Sequence, residues 1–176
     1  MIKNVKVFLE HSFTTIVVNN IIALALHLTI SIISIILLIV FVVTGPTLGV
    51  YTTHIMSRLF FIILHISLYL CAGMVLDSSK DEKYDFFAGT IIAVIGIGLW
   101  IYTLSKTGMN LVETPKELSE YWIIYNLYYS PFTMIYFLSG LNGSPLLSLL
   151  TNLLPPFLLG CGIKCRRITV KRSAVD

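Results

Sequence analysis

Charge is missing from long stretches of this chain: residues 11–57, 59–76, 86–105 and 121–163 contain no Asp, Glu, Lys or Arg. A bilayer's hydrocarbon core is about 30 Å thick and takes roughly 20 apolar helical residues to cross. Uncharged runs this long and this rich in Ile and Leu do not suit a water-soluble core. Only 12% of the residues are charged, and the mean hydropathy is +0.88. In hydrocarbon every backbone N–H and C=O must be satisfied inside the protein, which favours helices. The expected class is an all-α integral membrane protein, a small polytopic, multi-pass bundle.

The 176 residues suit one domain, because the polar connections are too short to fold alone. We read residues 1–163 as a single helical transmembrane domain and 164–176 as a basic tail. Residues 1–15 place Val5, Phe8 and Leu9 beside Lys3, Lys6 and Glu10, as a short interfacial segment does. The apolar run 16–43 is longer than a signal-peptide core and no small-residue cleavage site follows it, so an uncleaved anchor is expected.

About five hydrophobic helices are expected. Span one covers 20–43 and stops at Thr44-Gly45-Pro46. Span two covers 57–76, with Arg58 snorkelling at its entrance. The connection 77–85 is mixed in sign and reads as solvated, and span three covers 86–105. In the loop 106–120, Thr114-Pro115-Lys116-Glu117 has the form of a short helix start. The last run, 121–163, would reach about 64 Å as one straight helix, twice the hydrocarbon thickness. It must turn, at Gly140-Leu141-Asn142-Gly143-Ser144-Pro145. The result is a hairpin of 121–139 and 146–163, broken by Pro131 and by Pro155-Pro156.

Lys164, Arg166, Arg167, Lys171 and Arg172 crowd the tail, which favours a cytoplasmic location and contact with anionic lipid. Five crossings would put eight Lys and Arg inside against four outside; a re-entrant last hairpin would put nine against three. The tail is too short, and too poor in aromatics, to read as a nucleic-acid partner. Cys71 reads as a small buried hydrophobe, and Cys161 and Cys165 as reduced thiols open to palmitoylation in a eukaryotic host.

Candidate site residues follow from helical spacing. Asn20, Ala23, His27, Ser31 and Ser34 share one face of span one, and Arg58, His65, Tyr69 and Ala72 one face of span two. Such faces turn inward, because an unpaired Asn or His in hydrocarbon is costly. Interhelical hydrogen bonding is their simplest role. The sharper alternative is a b-type cytochrome, with His27 and His65 ligating haem b from two antiparallel spans; otherwise no cofactor is expected. Gly89, Ala93 and Gly96 on span three let another helix approach closely, from this chain or from a partner. Trp100 reads as an interfacial aromatic. Asn126, Ser130 and Thr133 fall along one face beside Pro131, and Asn152 precedes Pro155; broken helices of this kind border substrate sites in transporters.

No hydrolase, metalloprotease, P-loop or dinucleotide motif is present, and the spans lack acids for a proton relay. Glu113, Glu117 and Glu120 have no neighbouring nucleophile, so no catalytic or metal set is expected. Asn142-Gly143-Ser144 matches a glycosylation sequon in a tight turn. The leading expectation is a non-enzymatic accessory or membrane-anchoring subunit of an assembly such as a transport system. It would be held by lipids and by an integral membrane partner or a second copy. The alternative is a small oligomeric transporter or channel.

Overall fold

The structure, a computed structural model, describes residues 2–45, 54–76, 82–112, 115–141 and 143–173, with the side chains of 2–13, 83 and 116 excepted. Among these residues the regular structure is entirely helical. The helices are α1 (Ile2–Val43), α2 (Ile55–Val75), α3 (Thr90–Lys106), α4 (Ile123–Tyr128), α5 (Ser130–Ser139), α6 (Pro145–Thr151) and α7 (Leu154–Ser173). Short 3-10 turns at Glu82–Phe87 and Lys116–Trp122 precede α3 and α4. Three helices are long and apolar enough to cross a membrane: Thr14–Val43 within α1, α2, and the stack Pro145–Ser173 formed by α6 and α7. Helix α3 is apolar but has 17 residues. The Asn142 sequon and the Lys80 connection lie outside the described residues.

Burial follows the rule of lipid rather than that of water. On α1, Ala23, His27, Ser31 and Ser34 are buried, whereas Ile21, Ile32, Ile36 and Ile39 face outward. Small and polar groups hold helices together where apolar surface gains nothing by leaving lipid. On α2 the inward face is His65, Tyr69, Ala72 and Gly73. Cys71 is exposed on the outer face, correcting the expectation of a buried thiol. No helix boundary separates 2–15 from the first span, and α7 likewise continues through the basic residues to Ser173.

Helices α2 and α7 approach closely. A Cβ on Gly73 would stand 2.2 Å from the carbonyl oxygen of Leu159, and one on Gly162 would stand 2.2 Å from that of Leu70. Two glycines facing one another let these backbones touch.

Helices α1 and α7 meet the end of α2 and the start of α3 at one end of the bundle, here termed the basic end. The Asn20 side chain of α1 donates to Phe87 O at 3.0 Å and accepts from Ile91 N at 3.0 Å. It thereby caps α3, whose own N-cap, Gly89, has no side chain to do so. Asp85, expected to be solvated, is 5% exposed and held by Arg167 of α7 through Nη2–Oδ1 and Nε–Oδ2 bonds of 2.7 and 2.9 Å. Arg166 donates to Leu76 O at the end of α2 at 2.7 Å. At the surface the Lys171 ammonium hydrogen-bonds Glu82 at 2.8 Å and holds that carboxyl below its usual range.

The opposite end is joined by different bonds. Trp100 is buried and its Nε1–H donates to Pro145 O at 2.7 Å, tying α3 to α6 instead of sitting in an interfacial belt. Leu146 N donates to Leu111 O at 3.1 Å, Thr103 Oγ1 to Tyr121 O at 3.3 Å, and Arg58 Nε to Leu138 O.

These bonds define the course of residues 121–139. The segment starts beside Thr103 at the opposite end and descends through α4 to Tyr128 and Tyr129. It then turns, and climbs through α5 back to Arg58. Thus 121–139 enters and leaves by the same end, while 145–173 runs through to the basic end.

Candidate functional site in the broken hairpin

Sequence chemistry sets the turn. Helix α4 ends at Tyr128, and Pro131 sits in the first turn of α5, where its missing N–H costs nothing. Pro131, expected as a break in the 121–139 arm, thus stands at the start of a new helix. The reversal is clamped to α1 by a reciprocal pair: Ser31 Oγ donates to Tyr128 O at 2.9 Å, and Ser130 Oγ donates to Ser31 O at 2.8 Å. Ser130 thus faces α1, away from the Asn126–Thr133 side. Beyond α5, Gly140 at φ +68° reverses the chain, a left-handed conformation that favours glycine.

Between α4, α5 and α6 lies a cavity of about 400 Å³. Asn126 and Trp122 line the α4 wall, Thr133 and Tyr136 the α5 wall, and Ser148 and Thr151 the α6 wall, with Tyr129 at the floor. The walls are braced by hydrogen bonds: Tyr125 Oη donates to Ser148 O, Tyr136 Oη pairs with Thr151 Oγ1, and Thr133 Oγ1 donates to Asn126 O at 3.2 Å. No charged side chain among the described residues lines it. Trp122 is 6% exposed and its Nε1–H has no hydrogen-bond partner. A buried donor without an acceptor costs about 1–3 kcal/mol.

Beneath the floor, both Tyr128 and Tyr129 donate to Ile92 O of α3, at 3.1 and 3.3 Å. Gly96 makes this possible: a Cβ there would stand 2.0 Å from Tyr129 Oη and 2.4 Å from Asn152 Oδ1. Asn152 is fully buried, bonds Leu149 O at 3.0 Å through its amide nitrogen, and leaves Oδ1 unpartnered. Gly89 faces Leu159 and Pro156 of α7 in the same way. Gly96 and Gly89 are thus covered by this chain's own last segments.

Each of the two histidines has one ring nitrogen engaged. His27 Nδ1 bonds Tyr69 Oη at 2.6 Å, and His65 Nδ1 bonds Phe61 O one turn back at 2.7 Å. Both Nε2 atoms are buried and unpartnered. The rings of Tyr128, Tyr129 and Tyr69 stand 4.7, 5.6 and 6.0 Å from that of His27. Aromatic rings thus pack closely about His27.

Of the residues expected at a site, Asn126 lines the cavity, Asn152 lies under its floor and Ser130 and Pro131 form the turn behind it. Asn20 belongs to the basic end. Sequence reasoning missed Tyr136, Ser148 and Thr151. For Ser148 and Thr151 the signal was present in the hydroxyls of Ser144, Ser148 and Thr151, at near-helical spacing from the N-cap of α6 to its end. No family model, curated protein or solved structure matches the chain.

Proposed function

We propose that the chain is a small multi-pass membrane transporter that takes an uncharged polar solute into the hairpin vestibule. The observation that carries this is the cavity of about 400 Å³, where Asn126, Thr133, Tyr136, Ser148 and Thr151 stand beside Phe132, Phe137 and Leu141 and no charged side chain appears among the described residues. Irregular backbone at membrane depth is tolerated where it is buried in protein or lines a watery cavity, and broken helices border transporter sites. The absence of charge in the lining favours sugars, polyols, amides or similar solutes over ions. The volume falls within the usual range for small-molecule sites, about 300–1,000 Å³.

In this reading α1, α2, α3 and the α6–α7 stack cross the membrane, and 121–139 is re-entrant. Lys3, Lys6, Lys80, Lys83 and the five tail cations then share the basic end, against Arg58, Lys106 and Lys116 at the other. The positive-inside rule makes the basic end, with both termini, cytoplasmic. The vestibule opens away from the cytoplasm. An accessory or anchoring role in an assembly drew on the small-residue face of α3. Because Tyr129, Asn152 and Leu159 cover Gly96 and Gly89, the vestibule is the stronger footing.

Proteoliposomes challenged with a jump of urea, glycerol or a pentitol should show solute influx by light scattering above protein-free vesicles. Asn126→Leu, an exposed position on the cavity wall, should slow it by about tenfold, the worth of one lost hydrogen bond. Vesicles that stay as tight as protein-free ones across the panel would remove the reading.

A further inference from the structure

At the basic end a groove of about 380 Å³ runs down the outside of the bundle, between α1 and the α2–α7 pair. Thr14, Thr15, Asn19 and Arg166 line its polar part, and Val18, Ile22 and Val75 its apolar part. The three apolar residues are 45%, 39% and 68% exposed, so this part opens on the lipid-facing surface.

Arg166 differs from its neighbours. Arg167 grips Asp85 and Lys171 meets Glu82, whereas Arg166 gives one N–H to Leu76 O and has no carboxylate partner among the described residues. A half-buried guanidinium at the hydrocarbon edge with a carbonyl in place of a counter-charge is costly until an anion meets it. Its planar fork of five donors matches phosphate oxygens two at a time, and the carbonyl engages only one donor.

The geometry points to this groove as a site for a single anionic phospholipid, its phosphate on Arg166 and an acyl chain along Val18, Ile22 and Val75. The apolar part decides between sources, because a free phosphate gains nothing from it. Net charge decides between lipids: a zwitterionic headgroup brings a cation, and no acidic side chain among the described residues lines the groove to receive it. The site is separate from the vestibule and does not depend on transport.

The test is native mass spectrometry of the full chain from micelles holding equal phosphatidylglycerol and phosphatidylcholine. The wild type should retain phosphatidylglycerol over phosphatidylcholine by about fivefold, the worth of one membrane-surface cation. Arg166→Gln should abolish that preference. Val18→Trp, which fills the groove from an exposed position and leaves Arg166 intact, should lower retention of both lipids and keeps the test alive if Arg166→Gln does not fold. Arg172→Gln, an equal change of charge at an exposed site outside the groove, should retain lipid as the wild type does. Equal retention of the two lipids, an Arg172→Gln loss matching that of Arg166→Gln, or displacement by inorganic phosphate would each overturn the proposal.

Discussion

Gly73→Leu or Gly162→Leu is expected to stop the protein reaching its folded state in mild detergent. A Cβ at Gly73 would meet the Leu159 carbonyl oxygen at 2.2 Å and Gly162 Cα at 3.0 Å, and backbone on both sides cannot step aside as a flexible side chain can. Overpacking a well-fitted interior costs about 1–3 kcal/mol when side chains absorb it, and more when backbone must move. That is a large share of a total stability of about 5–15 kcal/mol. Helix α7 also carries Arg166 and Arg167, so separating it from α2 releases the bonds to Leu76 and Asp85 as well. Gly98→Ala supplies the contrast, because nothing lies within 4 Å of a Cβ there. It should stabilise α3 by up to about 1 kcal/mol through helix propensity. Unfolding midpoints in dodecyl sulfate titrations would separate the two cases. If Gly73→Ala and Gly98→Ala unfold alike, the α2–α7 contact is not as close as described.

The second large effect is expected at Asp85. Its carboxylate is 5% exposed and lies against an Arg167 side chain that is 14% exposed. Removing one partner of a buried ion pair costs about 3–5 kcal/mol, since the survivor keeps its charge and loses the group that balanced it. Asp85→Asn should therefore lower the unfolding midpoint sharply, while Asp85→Asn combined with Arg167→Gln should recover most of the loss. Glu82→Gln removes an exposed partner of Lys171 and should change little, as solvated pairs do. A double variant no better than Asp85→Asn alone would mean that Arg167 acts through other contacts.

Both effects rest on residues that sequence reasoning passed over, whereas much of the rest was readable. The inward face of α1 follows from the three- and four-residue spacing of Ala23, His27, Ser31 and Ser34. Helical geometry alone sets that face, and polar groups in lipid must turn inward. His65, Tyr69 and Ala72 obey the same rule on α2. The space for Tyr129 and Asn152 was legible in Gly96 as a place of close approach, although not which segment fills it.

What hid the remainder was long-range pairing. Asp85 looks solvated within 77–85 because its partner, Arg167, lies 82 residues on. Trp100 has the composition of an interfacial aromatic, and only the packing of α3 on α6 turns it inward to Pro145. The course of 121–139 was hidden for the same reason. A proline breaks or begins a helix according to the chain around it, and the clamp that makes Pro131 begin one is Ser31, about a hundred residues earlier. Gly73 and Gly162 did offer a signal, in the small-residue runs Cys71-Ala72-Gly73 and Gly160-Cys161-Gly162.

The vestibule exists only if 121–139 returns to the end it started from. Single cysteines at Met109, Leu141 and Arg172, all exposed, read this out in a background where Cys71, Cys161 and Cys165 are serine. With a membrane-impermeant maleimide on sealed vesicles, Met109→Cys and Leu141→Cys should label from one face and Arg172→Cys from the other. If Met109→Cys and Arg172→Cys label together and Leu141→Cys from the opposite face, then 121–139 crosses the membrane outright and the hairpin holds no vestibule.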